Sequence, residues 1–236
     1  MHPTVKDLIE KHYEDQRSEA WYKLRNTMLT ASDAAAAIGE NPYEKPLDLI
    51  YKKCGLVKFT GNNATAHGIK YEDEARVKYE NEYNEKVHEL GLCQHKIHDW
   101  LGASPDGVTE SGKLVEIKCP LRRSITNDVP RHYMPQLQLS MEVLGLDECD
   151  FIQYKPAEYN WPSPEEFVVI NVKRDHYWFE KYLPVMDKFW KDVLFYRENG
   201  IELKSKKTRK NIKSKQEDNK KECTIESDPE DDYIDI

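Results

Sequence analysis

The sequence has no long hydrophobic run and no leader-like start. None of its 236 residues lies in an uninterrupted apolar stretch of about 18 residues, the length that a membrane-spanning helix needs. The first residues, Met1 to Val5, also lack the basic and apolar regions of a signal peptide. We therefore expect a soluble intracellular protein that does not act at a membrane.

Cysteine patterns that build structure are missing as well. The five cysteines are odd in number and scattered, and none forms a Cys-x-x-Cys pair: Cys54, Cys93, Cys119, Cys149 and Cys223. This spacing argues against a disulfide framework and a zinc ribbon. It also argues against an iron–sulfur cluster, which needs several closely spaced cysteines.

The chain also lacks a net positive charge, because its formal net charge is −8 at pH 7. Residues 204–221 carry nine Lys or Arg and two acids, and residues 222–236 carry seven acids, so these charges cancel and the excess lies in residues 1–203. If this negatively charged part of the chain binds nucleic acid, it must attract the phosphates through a local basic channel and a metal ion. The segment after residue 203 has no hydrophobic period, which predicts a disordered tail, basic and then acidic.

One pair of motifs indicates metal chemistry. Ser104-Pro105-Asp106-Gly107 precedes an apolar strand, Leu114 to Lys118, and the turn-forming residues between them predict a hairpin that brings Asp106 beside Glu116. Glu116 and Lys118 share one face of that strand, and Ile117 points to the other. Two adjacent carboxylates favour Mg²⁺ or Mn²⁺ over zinc, and the lysine can position or activate water. A solvated ion pair is the alternative interpretation of Glu116 and Lys118.

Periodicity predicts an α/β (α+β) domain in residues 1–203, with a mixed central sheet flanked by helices. Predicted helices are 5–14, 17–27, 31–38, 46–54, 64–83, 130–144 and 175–198, and a polar loop at 61–63 precedes the long fifth one. Predicted strands are 87–90, 92–97, 101–103, a short one at Val108, 113–118, 151–154 and 167–172. The aromatic residues of the last helix are expected to be core or an intersubunit face.

Five motifs in order resemble the phage lambda exonuclease family, also called YqaJ-type viral recombinases, within the PD-(D/E)xK nucleases. The resemblance covers roughly residues 20 to 180. It rests on Trp21-Tyr22-Lys23-Leu24-Arg25 with Leu29 to Asp33, His67 to Arg76, Ser104 to Gly107, Glu116 to Pro120, and Tyr133 to Gln138. It implies a restriction-endonuclease-like fold and a magnesium-dependent enzyme that degrades the 5′-ending strand of linear double-stranded DNA to mononucleotides, leaving a 3′ overhang for recombination.

The resemblance also implies roles for individual residues. Asp106, Glu116 and the main-chain carbonyl of Ile117 would bind the metal, with Lys118 orienting water. Glu72 would hold a water or a second metal, and Asp73 and Glu74 are the alternatives if the register shifts. Gln136 would face the site, whereas Gln138 should point elsewhere.

A second group would bind substrate. Arg25, Ser32 and Ser104 resemble the family's pocket for the DNA 5′ phosphate, and Tyr133 is a further substrate-binding candidate. A guanidinium suits this role because it binds phosphate through two parallel hydrogen bonds. The alternative for Arg25 is an exposed helical arginine paired with a nearby acid.

Assembly and partners follow from the resemblance alone. It implies a homotrimer, a single-strand annealing protein as partner, and a phage, virus or prophage origin. Two other functions stay open at this point: an endonuclease or Cas4-like nuclease with the same core, and a non-catalytic protein that binds DNA ends as a recombination scaffold. The missing cysteine cluster argues against a Cas4-like nuclease.

Overall fold

The computed structural model describes residues 1–57 and 63–201. The predicted tail from residue 204 and most of the predicted loop at 61–63 lie outside this part of the chain. The described helices are α1 Pro3–Ile9, α2 Glu19–Asn26, α3 Ala34–Ala37, α4 Pro46–Lys53, α5 Asn63–Tyr83, α6 Met134–Leu144, α7 Ala157–Asn160 and α8 His176–Asn199. Short 3₁₀ turns at Ala31–Asp33 and Arg131–Tyr133 lead into α3 and α6.

The strands form two mixed sheets rather than one. They are β1 Leu29–Thr30, β2 Val87–His88, β3 Cys93–Gln94, β4 Leu101–Ala103, β5 Gly107–Thr109, β6 Leu114–Lys118, β7 Glu148–Lys155 and β8 Glu166–Lys173. The larger sheet has the order β2-β5-β6-β7-β8, and the smaller one has the order β1-β4-β3. Each sheet contains one parallel pair, β6 with β7 and β1 with β4. The predicted mixed α/β architecture is confirmed.

Strand β6 separates two hydrophobic clusters. Leu114 packs in the larger cluster with α6 and α8, whereas Val115 and Ile117 pack in a smaller one against Tyr71 and Tyr79 of α5. The polar residues Glu116 and Lys118 alternate with these apolar ones and are themselves buried. The predicted opposition of Ile117 to Glu116 and Lys118 is therefore confirmed.

The predicted helix 5–14 was too long, because α1 ends at Ile9. The residues that follow turn back toward the smaller sheet, where the Gln16 side chain donates to the carbonyls of Leu90 at 2.7 Å and Pro105 at 3.0 Å. A Cβ at Gly91 would lie 2.4 Å from the Glu14 carbonyl oxygen, so the two segments touch at backbone level. The predicted strands 87–90 and 92–97 are also shorter in the structure, where they contain only β2 and β3.

The last helix agrees closely with its prediction. Asp175 caps α8 by accepting a hydrogen bond from the Tyr177 amide at 3.0 Å. Of its aromatic residues, Phe189 and Trp190 are buried in the core, whereas Phe195 is exposed. Most of this stripe therefore belongs to the core. No helix in the described part of the chain is long and apolar enough to cross a membrane.

Gly107, at the start of β5, has no room for a side chain. A Cβ there would lie 2.3 Å from Cγ1 of Val87 in the neighbouring strand β2. We expect Gly107→Ala to lower the free energy of unfolding by about 1–3 kcal/mol, since overpacking forces backbone shifts. Gly68→Ala is the matched control: it lies inside α5 with nothing within 4 Å, and we expect a gain of about 0.5–1 kcal/mol. Urea unfolding measures both, and equal effects would refute the close packing of β2 on β5.

Candidate active site

Asp106 reaches β6 through the hairpin that the sequence predicts. Strand β5 pairs antiparallel with β6, with Gly107 opposite Val115. Asp106 directly precedes β5, and its Oδ2 accepts a hydrogen bond from the Ile117 amide at 2.6 Å. This bond fixes the aspartate against the middle of the strand that carries Glu116.

Glu116 lies between an amide and an ammonium group. Its Oε1 accepts from Nε2 of Gln136 at 2.6 Å and lies 2.9 Å from Nζ of Lys118. The side chains of Glu116 and Lys118 are only 3% and 5% exposed. Gln138 points away, since it bonds the Lys173 carbonyl and the Asp175 amide. The predicted facing of both glutamines is thus seen.

Negative charge accumulates around Asp106. Burial raises the pKa of this carboxyl well above its usual value, and the nearby carboxylates of Glu116 and Glu72 raise it further, while Lys118 and the Ile117 amide oppose them. A divalent cation would relieve this repulsion, because it binds the charged form of each carboxylate.

The oxygen-donor set fits magnesium or manganese. Within residues 1–57 and 63–201, no group of three or more His, Cys, Asp or Glu side chains is placed to hold a metal ion. Two carboxylates, Asp106 and Glu116, remain, and this number suits Mg²⁺, which usually takes one or two protein carboxylates and fills its shell with water and phosphate oxygens. The carbonyl of Ile117 as a third ligand stays a prediction.

Glu72 is held by a residue that the sequence did not point to. Its Oε2 lies 2.6 Å from Nη2 of Arg17. Burial raises the pKa of Glu72, and Arg17 opposes this shift. The alternatives in the neighbouring register have other partners: Asp73 pairs with Arg76, and Glu74 accepts from the Tyr154 hydroxyl. Of these three acids, Glu72 is the one whose charge raises the pKa of Asp106.

The three predicted phosphate-pocket residues are brought together by Trp21. The Arg25 guanidinium lies 4.4 Å from the centroid of the Trp21 ring, and its Nη2 donates to Oγ of Ser32 at 2.8 Å. On the other side, the Trp21 indole donates to Oγ of Ser104 at 3.1 Å. Because Ser104 is two residues from Asp106, this pocket borders the carboxylate site.

A buried ion pair supports the pocket from behind. Nζ of Lys53 lies 2.7 Å from Asp33 and donates to the carbonyls of Arg25 at 3.2 Å and Met28 at 3.0 Å. Burial raises the pKa of Asp33, but Lys53 and Arg25, with hydrogen bonds from Lys53 and Thr30, outweigh it and hold this pKa at about 2. Asp33 is therefore charged, pairs with Lys53 and attracts Arg25.

A family model described as the YqaJ-like viral recombinase domain matches residues 20–147, more than half of the 236-residue chain. The chain belongs to this family. An uncharacterized protein of Acanthamoeba polyphaga mimivirus is 36% identical over 182 residues, which are 69% of this chain and 33% of that protein. A protein of African swine fever virus is 32% identical over 155 residues, 52% of this chain and 44% of that protein. The chain spans less than half the length of these viral relatives.

Solved exonuclease structures are similar to this YqaJ-like chain. The alkaline exonuclease LHK-Exo from Laribacter hongkongensis has a TM-score of 0.64 and 27% identity, covering 77% of this chain and 95% of that one. LHK-Exo in complex with dAMP gives a TM-score of 0.65 with the same coverage. A phage-related exonuclease from Haemophilus somnus, at 13% identity and a TM-score of 0.51, shows likeness of fold over 73% of this chain and 94% of that one. Family and structure support a nuclease or recombination role.

Tyr133 lines the YqaJ-like site beneath Lys118. It is 8% exposed, packs on Phe151 at 5.5 Å between ring centroids, and has Nζ of Lys118 at 5.2 Å from its ring centroid. The ring face attracts the ammonium group and helps to hold it near Glu116. Its role in substrate binding stays a prediction.

Sequence reasoning assigned no role to three residues that hold other side chains of the site in place: Arg17, Lys53 and Trp21. Trp21 carried a usable signal, since it lies four positions before Arg25 on one helix, where side chains meet. Arg17 and Lys53 carried none, because their partners Glu72 and Asp33 are distant in sequence.

The raised pKa of Asp106 has a consequence for stability. The folded protein binds this proton more tightly than the unfolded chain, whose aspartates titrate near about 3.9. The charged carboxylate therefore destabilises the fold increasingly as pH rises from that value through the raised folded pKa. Asp106→Asn keeps an acceptor for the Ile117 amide and removes the charge.

With a chelator present, we expect Asp106→Asn to be more stable than the wild-type protein at neutral pH, with the difference closing toward about pH 4. Urea unfolding midpoints measured across this pH range test the expectation. A difference that stays constant with pH, or one of opposite sign, would show that the pKa of Asp106 is not raised in the folded protein.

Proposed function

We propose that this protein is a metal-dependent 5′-to-3′ exonuclease that acts on the ends of linear double-stranded DNA. It hydrolyses the 5′-ending strand to mononucleotides and leaves a 3′ single-stranded overhang for recombination. The observation that carries the proposal is the continuity of the two halves of the site. Trp21 joins Arg25 to Ser104, and Ser104 lies two residues before Asp106.

This continuity explains why one end of the DNA would be selected. Two residues of extended chain span at most about 7 Å, so a phosphate bound at the pocket lies next to the carboxylates. The Arg25 guanidinium with the Ser32 and Ser104 hydroxyls forms a donor set that suits a terminal phosphate. A duplex without a free 5′ end offers no such phosphate, so a covalently closed circle would be a poor substrate.

Each residue of the carboxylate site has a part in hydrolysis. Mg²⁺, with Mn²⁺ as substitute, would be held by Asp106 and Glu116 and would offset the charge on the phosphate oxygens. Lys118 orients the attacking water, and Glu116, whose Oε1 lies 2.9 Å from Nζ of Lys118, accepts the proton that the water loses. Gln136 fixes Glu116 through its 2.6 Å hydrogen bond, and Glu72 completes the negative field.

The products follow from where the bond breaks. Water adds to the phosphorus, and the 3′ oxygen of the terminal nucleotide leaves with a proton. The departing unit is a nucleoside 5′-monophosphate, and the next nucleotide keeps a 5′ phosphate that can enter the same pocket. The solved complex of LHK-Exo with dAMP, a nucleoside monophosphate, supports this product class.

The remaining assignments are proposals of the same kind. Residues 1–203 form the nuclease domain, the protein acts as a homo-oligomer, a trimer by family resemblance, and a single-strand annealing protein takes over the exposed strand. The family model supports a recombination setting, and the viral relatives support a viral origin.

A comparison of DNA forms tests the enzyme class. The purified protein is incubated with linear duplex and with covalently closed circular duplex of the same sequence, with Mg²⁺ or with a chelator. We expect mononucleotides from the linear form only, and only with the metal. Cutting of the closed circle would indicate an endonuclease, and binding without degradation would indicate a non-catalytic end-binding protein.

A further inference from the structure

Arg17 has an unusual backbone next to the carboxylate site. Its φ is 67°, one of two positive values at non-glycine residues in the described part of the chain. An arginine avoids this left-handed region because its Cβ crowds the following carbonyl oxygen. The surrounding residues hold it there: Gln16 is bonded to the carbonyls of Leu90 and Pro105, and Ser18 caps α2. Arg17 is thus fixed between Gln16, which bonds the residue before Asp106, and the helix that carries Trp21 and Arg25.

The guanidinium of Arg17 is oriented by Glu72 and still reaches solvent. Nη2 lies 2.6 Å from Oε2 of Glu72, and the Arg17 side chain is 38% exposed against 27% for Glu72. A guanidinium has five N–H donors, and one carboxylate accepts at most two of them in the parallel arrangement. The ion pair with Glu72 therefore leaves donors for a second anion.

The negative charges around the site show why DNA entering it needs a further cation. Asp106 interacts with the carboxylates of Glu116 and Glu72, and Lys118 offsets part of this negative charge. A DNA strand entering here brings further negative charge into a body that already carries the whole net charge of −8. A fixed, partly exposed cation at the edge of this cluster offsets that repulsion without blocking the carboxylates.

We propose that Arg17 binds the phosphodiester backbone of the DNA strand that enters the carboxylate site, while Glu72 holds its guanidinium in place. The inference rests on the proposed function for its substrate. It adds a phosphate contact outside the pocket of Arg25, Ser32 and Ser104, on the side of the site formed by α5.

The salt dependence of DNA binding tests this contact. The logarithm of the DNA-binding constant falls linearly with the logarithm of the salt concentration. Each phosphate contact steepens this fall by about 0.7 for single-stranded DNA and by about 0.9 for duplex DNA. Binding to linear 5′-phosphorylated duplex is measured with Mg²⁺ in a Lys118→Ala background, so that the DNA stays intact. The added variants are Arg17→Asn, which tolerates the left-handed backbone, and Arg17→Gln, which keeps a longer polar side chain.

Both variants are expected to make the slope shallower by the contribution of about one phosphate contact, whereas Arg17→Lys should keep the slope of the background protein. Lys173→Asn is the matched control. Lys173 also pairs with one glutamate, Glu148 at 2.5 Å, but this pair joins β8 to β7 and does not involve Glu72. Its slope should equal that of the background protein. An unchanged slope for either folded neutral variant of Arg17 overturns the inference. Failure of the proposed function appears separately, as wild-type protein that does not degrade linear duplex.

Discussion

Replacing Lys118 by alanine is expected to lower the rate of linear duplex degradation by about 10²–10⁴-fold, the usual contribution of general acid–base catalysis. The reason is geometric. Nζ of Lys118 lies 2.9 Å from Oε1 of Glu116, and the Lys118 side chain is only 5% exposed, so this ammonium group is held beside a proposed metal ligand. Initial rates at saturating DNA and Mg²⁺ measure the loss.

Lys173→Ala serves as control for this experiment, because Lys173 carries the same charge on β8 and pairs with Glu148, away from β6. Its rate should stay within about twofold of the wild-type rate, since surface ion pairs contribute little. Full activity of Lys118→Ala with a normal fold would move the chemistry to another site.

Arg25→Gln is expected to remove most of the preference for 5′-phosphorylated DNA. Hydrogen bonds to a charged group contribute about 1.5–3 kcal/mol, which corresponds to roughly 10- to 150-fold in the rate at low substrate concentration. DNA that ends in a 5′ hydroxyl makes no such bond, so its degradation should change far less. The ratio of kcat/KM for phosphorylated and hydroxyl ends, measured on otherwise identical duplexes, reports the effect.

Two further variants separate charge from geometry at this pocket. Arg25→Lys keeps the charge but loses the planar pair of donors and the stacking on Trp21, so an intermediate ratio is expected. Trp21→Phe removes the indole hydrogen bond to Ser104 and keeps a ring. If Arg25→Gln slows both kinds of end equally, Arg25 supports the fold and does not bind the terminal phosphate.

The carboxylate hairpin could be predicted because its parts are close in sequence. Gly107 and the turn after Thr109 leave few ways to connect Asp106 to β6, and alternation along the strand then fixes which side chains face each other. The same reasoning placed Gln136 and Gln138 on different faces of α6. Local geometry was sufficient at these positions.

Contacts between distant segments could not be predicted in this way. Arg17 and Glu72 are 55 residues apart in the sequence. An arginine also gives no sequence signal for the left-handed backbone conformation that Arg17 adopts. Likewise, the predicted helix to residue 14 competes with the bonds from Gln16 to Leu90 and Pro105, which form only in the folded chain. Tertiary hydrogen bonds outweigh helix propensity there, because propensity differences are small for each residue.

The polarity of degradation tests the central claim most directly. A linear duplex carrying a label on either the 5′ or the 3′ end of one strand, with a phosphate or a hydroxyl at its 5′ end, is incubated with the protein and Mg²⁺. We predict early release of the 5′ label as a mononucleotide, faster from the phosphorylated end, with the 3′ label retained on long single strands. Release of the 3′ label first, or equal rates from phosphorylated and hydroxyl ends, would contradict an exonuclease anchored at Arg25, Ser32 and Ser104.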